Sequence, residues 1–142
     1  MKYLLIIIMS TFVHAKEIDF EKSISPKSLK DINWSIETDL GKYKKVLGKA
    51  DYQKDNYLYY KVDKLKYPIS LETNKNKVTK VFFRVLGNKP NFNQAKDFLK
   101  TNNFVEEKSK NTEYKTFISE EKKLKLRFSA ITKKLYSVEK WF

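Results

Sequence analysis

Chemistry in this chain would have to be built from carboxylates, hydroxyls and lysines. It has no cysteine and a single histidine, His14, which lies in a leader-like segment and would leave with it. Without histidine or cysteine, a mature chain cannot assemble a Ser–His–Asp triad, a thiolate nucleophile or a nitrogen/sulfur zinc site. With 3 glycines and no glycine-rich turn ahead of a helix, it has no phosphate-cradling loop. Glu106-Glu107 and Glu120-Glu121 are adjacent carboxylates, but neighbours on a strand point to opposite faces, whereas glycosidase carboxylates must face each other across a cleft. Calcium loops of the Asp-x-Asp-x-Asp-Gly kind are absent. Ser23, Ser25 and Ser28 have lysines nearby, yet a Ser–Lys dyad requires a buried lysine and these stand in a polar arm. No catalytic residue, metal ligand or cofactor is expected.

Binding chemistry is better supplied. From Tyr57 to Leu86, strand-like segments alternate residues between two faces. If Leu58, Tyr60, Val62, Ile69, Leu71, Val81, Phe83, Val85, Leu124, Leu126 and Phe128 face the core, the other face displays Tyr57, Tyr59, Lys61, Lys80, Phe82, Arg84, Phe117, Lys125 and Arg127. Aromatic rings interleaved with cations suit protein hot spots, glycan stacking or single-stranded nucleic acid. The same rings could instead be cross-strand pairs that stabilise the sheet under lysine stems.

The formal charge of +13 favours anionic partners. Only 2 of the 30 Lys and Arg residues are arginines, Arg84 and Arg127. That scarcity disfavours nucleic acid, where bidentate readout is arginine's work. A lysine excess is also compatible with a plain solvated surface.

Met1-Lys2 begins a short positive start and residues 3–9 form an apolar core extended by Phe12 and Val13. Val13-His14-Ala15 fits a signal-peptidase site, so residues 1–15 read as a signal peptide cleaved after Ala15. The apolar stretch is too short to span a bilayer. No other run of that kind occurs, so the mature chain is expected to have no transmembrane span and to be periplasmic or secreted. Absence of cysteine excludes a lipoprotein anchor and a disulfide framework, which points to the bacterial periplasm.

Residues 16–20 read as an edge strand or extended arm, and Ser25-Pro26 starts a short turn near Leu29. Thr38 or Asp39 caps a helix carrying Leu40, Tyr43, Val46 and Leu47, which Gly48 ends. Residues 49–56 connect it to strands at 57–63, 69–73 and 78–86. After the break at Gly87-Asn88-Lys89-Pro90, Asn91 or Asn93 caps a second helix bearing Phe92, Ala95, Phe98 and Leu99, closed by Asn102-Asn103. Strands follow at 104–107, 113–119, 123–130 and 135–142. Trp34, Trp141 and Phe142 are expected to pack and pin the ends. The order repeats: residues 16–88 form one helix-plus-meander unit and 89–142 a second, sharing one sheet. In the closing hairpins, Ile69, Leu71, Lys77-Val78 and Val81 parallel Leu124, Leu126, Lys134-Leu135 and Val138. The fold class is α+β, an antiparallel sheet of about six or seven strands with helices on one face.

The run Thr38-Asp39-Leu40 through Leu47-Gly48-Lys49-Ala50-Asp51, then Tyr59-Tyr60 and residues 69–81, resembles the SmpA/OmlA type of outer-membrane-assembly protein. It also resembles the β-lactamase-inhibitor-protein fold, with two such units in tandem. The likeness rests on residues 38–83. It departs from the first family in lacking a lipoprotein cysteine and from the second in lacking disulfides. What it implies is a binding, envelope-assembly or inhibitory role without catalysis. The expected function is therefore a secreted or periplasmic binding or scaffolding protein that applies its aromatic–basic sheet face to a protein or anionic envelope partner. The alternative is a carboxylate-dependent hydrolase of cell-wall glycan.

Overall fold

The computed structural model describes residues 20–62, 65–87 and 89–142. The signal peptide and residues 16–19 of the expected arm lie outside them. Phe20 does not extend an arm but opens a short helix, α1 (Phe20–Ile24), followed by a 3-10 turn (Lys27–Leu29) and α2 (Leu40–Leu47). The first four strands are β1 (Tyr52–Lys54), β2 (Tyr57–Val62), β3 (Leu65–Asn74) and β4 (Lys77–Arg84). Then come α3 (Phe92–Thr101), β5 (Val105–Glu107), β6 (Tyr114–Ser119), β7 (Leu124–Ser129) and β8 (Leu135–Trp141). No helix among the described residues is long and apolar enough to cross a membrane.

The architecture is α+β with one antiparallel sheet of eight strands in the order β1-β2-β3-β4-β8-β7-β6-β5, wider than the six or seven expected. The added strand is β1, inside the stretch expected to be a connection. All its residues are exposed, so it carries no inward apolar signal. It is held by pairing with β2, by a turn in which Asp55 adopts φ 50°, and by the Asp51 carboxylate, which accepts the Lys61 N–H at 2.7 Å.

The strand order reads alike from both edges, and each half closes in the same way. Asp39 caps α2 by accepting the Gly41 N–H at 2.7 Å, while its backbone bridges Lys77 at the start of β4. Asn91 caps α3 in a reciprocal box with Gln94, and its backbone bridges Lys134 just ahead of β8. Each helix is thus tied at its first turn to the hairpin that ends its half. Gly48 ends α2 at φ 76° and ψ −151°, a backbone state that a side chain would strain.

The core lies on one face. Leu40 and Tyr43 of α2, and Ala95 and Leu99 of α3, join Leu71, Val81, Phe83, Leu126, Phe128 and Val138 from the strands. Trp34 is buried with its ring edge-on to Phe83 at 5.0 Å, and its Nε1–H donates to Ser25 Oγ at 2.7 Å. Phe142 packs partly buried against the same core. The Tyr43 hydroxyl donates to Glu37 O at 3.1 Å, and burial pushes its pKa well above the usual tyrosine value. The buried Tyr60 hydroxyl has no hydrogen-bond partner among the described residues, and burial raises its pKa as well.

A raised folded-state pKa stabilises the fold fully below the unfolded value of about 10 and loses that contribution as pH climbs past it. Tyr43→Phe is expected to cost roughly 1 kcal/mol at neutral pH and to flatten the loss of stability above about pH 10. Tyr60→Phe, which removes an unsatisfied hydroxyl, should be neutral or stabilising by up to about 1 kcal/mol. Urea denaturation of both variants across pH checks this.

Candidate binding face of the sheet

Alternation in the central strands separates two surfaces. In β4, Val78, Val81, Phe83 and the following Val85 are buried, while Lys80, Phe82 and Arg84 are half-exposed on the opposite side. The helices contribute their buried residues to the first surface, which leaves the second, the open face, to the strand side chains. Register carries that face across the sheet. Tyr57 lies opposite Glu72, Tyr59 opposite Ser70, Phe82 opposite Glu139, and Lys80 opposite Trp141. Lys125 also lies opposite Glu139, and Arg127 opposite Ser137.

Of the nine residues expected there, Tyr57, Tyr59, Lys80, Phe82, Arg84, Lys125 and Arg127 fall on the open face, and Lys61 is exposed at the register break between Tyr60 and Val62. Phe117 does not lie on that face. It is 8% exposed, stacked on Phe92 of α3 at 5.3 Å and edge-on to Phe128 at 5.9 Å. The run Phe117-Ile118 offers an apolar residue for either face. Phe117 takes the inward position opposite Leu126, and Ile118 goes outward opposite Lys125.

Rings dominate at the β1–β2 edge. Tyr59 lies 5.7 Å from Tyr52 and 6.2 Å from Tyr57, centroid to centroid. A hydrogen bond to Glu72 raises the Tyr57 pKa. Partial burial opposes ionisation of Glu72, but hydrogen bonds from Lys80, Tyr57 and Asn56 outweigh it and hold the carboxyl below its usual range. Lys80 sits 3.3 Å from Glu72 and 3.9 Å from Glu139; burial opposes its charge, yet these carboxylates keep its pKa raised. Lys125 pairs with Glu107 at 3.9 Å. Such exposed pairs are each worth under about 1 kcal/mol. Neither Arg84 nor Arg127 forms an ion pair with a described carboxylate. Instead the Arg84 guanidinium lies 4.5 Å over the Tyr136 ring, which contacts Tyr114 at 4.7 Å. Hydrogen bonding to Tyr136 raises the Tyr114 pKa.

Sequence reasoning missed Tyr52, Tyr114, Tyr136, Ser137, Glu139 and Trp141 on this face. Trp141, expected to pack as an end pin, stands opposite Lys80. Alternation outward from Val138 would have found both Glu139 and Trp141. Ser137 follows from the same alternation, but Tyr136 was not accessible that way, because a bulge in β8 breaks the alternation. Arg127 pairs with Ser137, and the next residue, Phe128, pairs with Leu135, so Tyr136 is the extra residue.

The other candidates are placed elsewhere. Glu106 lies opposite buried Phe117 and Glu107 opposite Thr116, on different faces of β5. Glu121 accepts from Asn103 Nδ2 at 3.1 Å. Ser25 Oγ donates to Glu21 O at 2.9 Å, and Ser23 Oγ to Phe20 O at 2.7 Å. Ser28, with a buried hydroxyl that has no partner among the described residues, lines a cleft of about 280 Å³ beside the α1 segment, Pro68 and Ile69 of β3 and the end of β4. Among the described residues, no cluster of three or more His, Asp or Glu side chains could hold a metal. Phe117→Ala is expected to cost about 3–5 kcal/mol as a core truncation, whereas Tyr59→Ala should cost about 1 kcal/mol or less. Chemical denaturation of the two variants checks the assignment of faces.

No protein-family model matches this chain, and no curated protein matches it. Among solved structures, it is similar to the crystal structure of a DUF4309 family protein (YjgB) from Bacillus subtilis. The two share 10% identity at a TM-score of 0.49, over 73% of this chain and 78% of that one.

Proposed function

We propose that this protein is a non-enzymatic binding module, exported to the cell envelope, that holds an acidic protein partner against the open face of its sheet. The observation that carries this reading is the wide strand surface left outside the helical layer, bearing tyrosine, phenylalanine and tryptophan rings among cations that outnumber the carboxylates between them. Rings and arginines anchor protein interfaces, because they bury large areas at little entropic cost and desolvate well. Export rests on the amino-terminal sequence alone, and the acidic character of the partner rests on charge complementarity with a chain of +13. Scaffolding and inhibition are both versions of this activity and differ only in what the partner does. The matching closure of the two halves supports an origin by internal duplication.

Replacing Tyr59, Phe82 and Arg84 together with alanine is expected to abolish capture of a discrete envelope protein at moderate salt while leaving the thermal transition within a few degrees of the parent. Pull-down from envelope extract reads this directly. Undiminished capture by the triple variant would remove the sheet face as the binding surface. Release of soluble fragments from cell-wall glycan by the unaltered protein would instead move the function to a hydrolase.

A further inference from the structure

The two arginines of the chain lie on one row of the open face, on strands separated by a single strand. Arg84 of β4 and Arg127 of β7 both lie directly opposite Ser137 of β8. Strand spacing puts their Cα atoms roughly 10 Å apart on one face, so both guanidinium groups can reach the space over Ser137. Ser137 is 2% exposed, a small side chain covered by its neighbours between the two arginines. The β8 bulge falls beside this row and turns Tyr136 and Ser137 to the same side in succession, so that the Tyr136 ring supports the Arg84 guanidinium at 4.5 Å.

The other half of the sheet supplies an internal comparison. The β3–β4 hairpin is bulged at the corresponding place, between Glu72 and Thr73. The backbone bond Val85 N–H to Tyr136 O is answered there by Phe142 N–H to Thr79 O. The matching row is therefore Glu72, Lys80 and Trp141. In it the cation is neutralised within the chain, Lys80 lying 3.3 Å from Glu72 and 3.9 Å from Glu139. One row satisfies its own charge. The other carries two guanidinium groups that form no ion pair with a described carboxylate; Glu107, farther along the row opposite Thr116, pairs instead with Lys125 at 3.9 Å.

We infer that the row Arg84–Ser137–Arg127 is a seat for one carboxylate side chain, aspartate or glutamate, of the acidic protein partner proposed above. A carboxylate offers about four lone-pair sites, which two guanidinium forks can fill between them. The adjoining rings of Tyr136 and Tyr114 exclude water from the pair, as interface anchors require. This inference rests on the sheet-face reading and locates its charged anchor.

Because the chain holds no other arginine, the two Nε–Hε resonances of the purified protein report this seat alone. Titration with an acetylated, amidated hexaglutamate peptide is expected to move both resonances with one binding curve. Arg84→Lys or Arg127→Lys, which keeps the charge and removes the fork, should weaken that binding, and capture of the partner, by roughly tenfold or more. Binding unchanged by either lysine substitution would overturn the seat and leave only net charge. Movement of a single resonance, or of neither, would overturn it as well. A tighter response to inorganic phosphate than to the peptide would overturn the assignment to a carboxylate. If both lysine variants still capture the partner while Tyr59→Ala with Phe82→Ala does not, the seat fails and the sheet-face reading stands; if none of these substitutions affects capture, both fail.

Discussion

The pairing of β4 with β8 joins the two halves and fixes which residues face water. Its register sets Phe83 against Val138 in the core and, one step along, Phe82 against Glu139 on the open face. A slip of one residue would exchange those sets and bury Lys80, Arg84 and Glu139 while exposing Val81 and Phe83, at a cost no turn could offset. Each half also anchors its helix to this seam, through the cap residues Asp39 and Asn91 and the starts of the strands they bridge. Core, helices and open face thus depend on one antiparallel contact at the middle of an eight-stranded sheet.

That arrangement accounts for an open face rich in rings and cations in a strongly basic chain. The helices and the amino-terminal segment bury their apolar side chains on one face. The charges of a strongly basic chain must then occupy the edges, the helix exteriors and the open face. Where lysine and glutamate lie in adjacent strands, as with Lys80 between Glu72 and Glu139, they neutralise each other at modest energetic value. Where arginines flank a serine, no ion pair forms with a described carboxylate. Local backbone irregularity contributes to this difference, because the β8 bulge decides that a tyrosine ring stands beside one arginine.

Much of this was legible in the sequence because period-two alternation is strong wherever β-branched and aromatic residues fill one face. The strands of the central seam and the inward set from Leu58 to Phe128, Val62 aside, follow from it, while the caps expected at Thr38 or Asp39 and at Asn91 or Asn93 follow from short polar residues ahead of helical spacing and fall on Asp39 and Asn91. Failure came where that signal is degenerate. Phe117-Ile118 offers two apolar neighbours and leaves the face undecided until Phe92 and Phe128 are in place to stack on the first. Tyr52–Lys54 has no apolar member to point inward and forms a strand only because β2 presents it an edge. Tyr136 belongs to the face through a bulge, which depends on the partner strand rather than on the composition of β8. The unpaired state of the two arginines likewise required knowing which carboxylates sit within reach.

Site-specific photo-crosslinking in the cell tests the central claim most directly. A photoreactive phenylalanine analogue at Phe82 or Trp141 on the open face would be compared with one at Lys45 on α2 or Lys96 on α3. Discrete adducts to one protein from the open-face positions, and none from the helices, are what this account predicts. Adducts from the helical positions alone would contradict it and place the partner on the opposite side of the molecule.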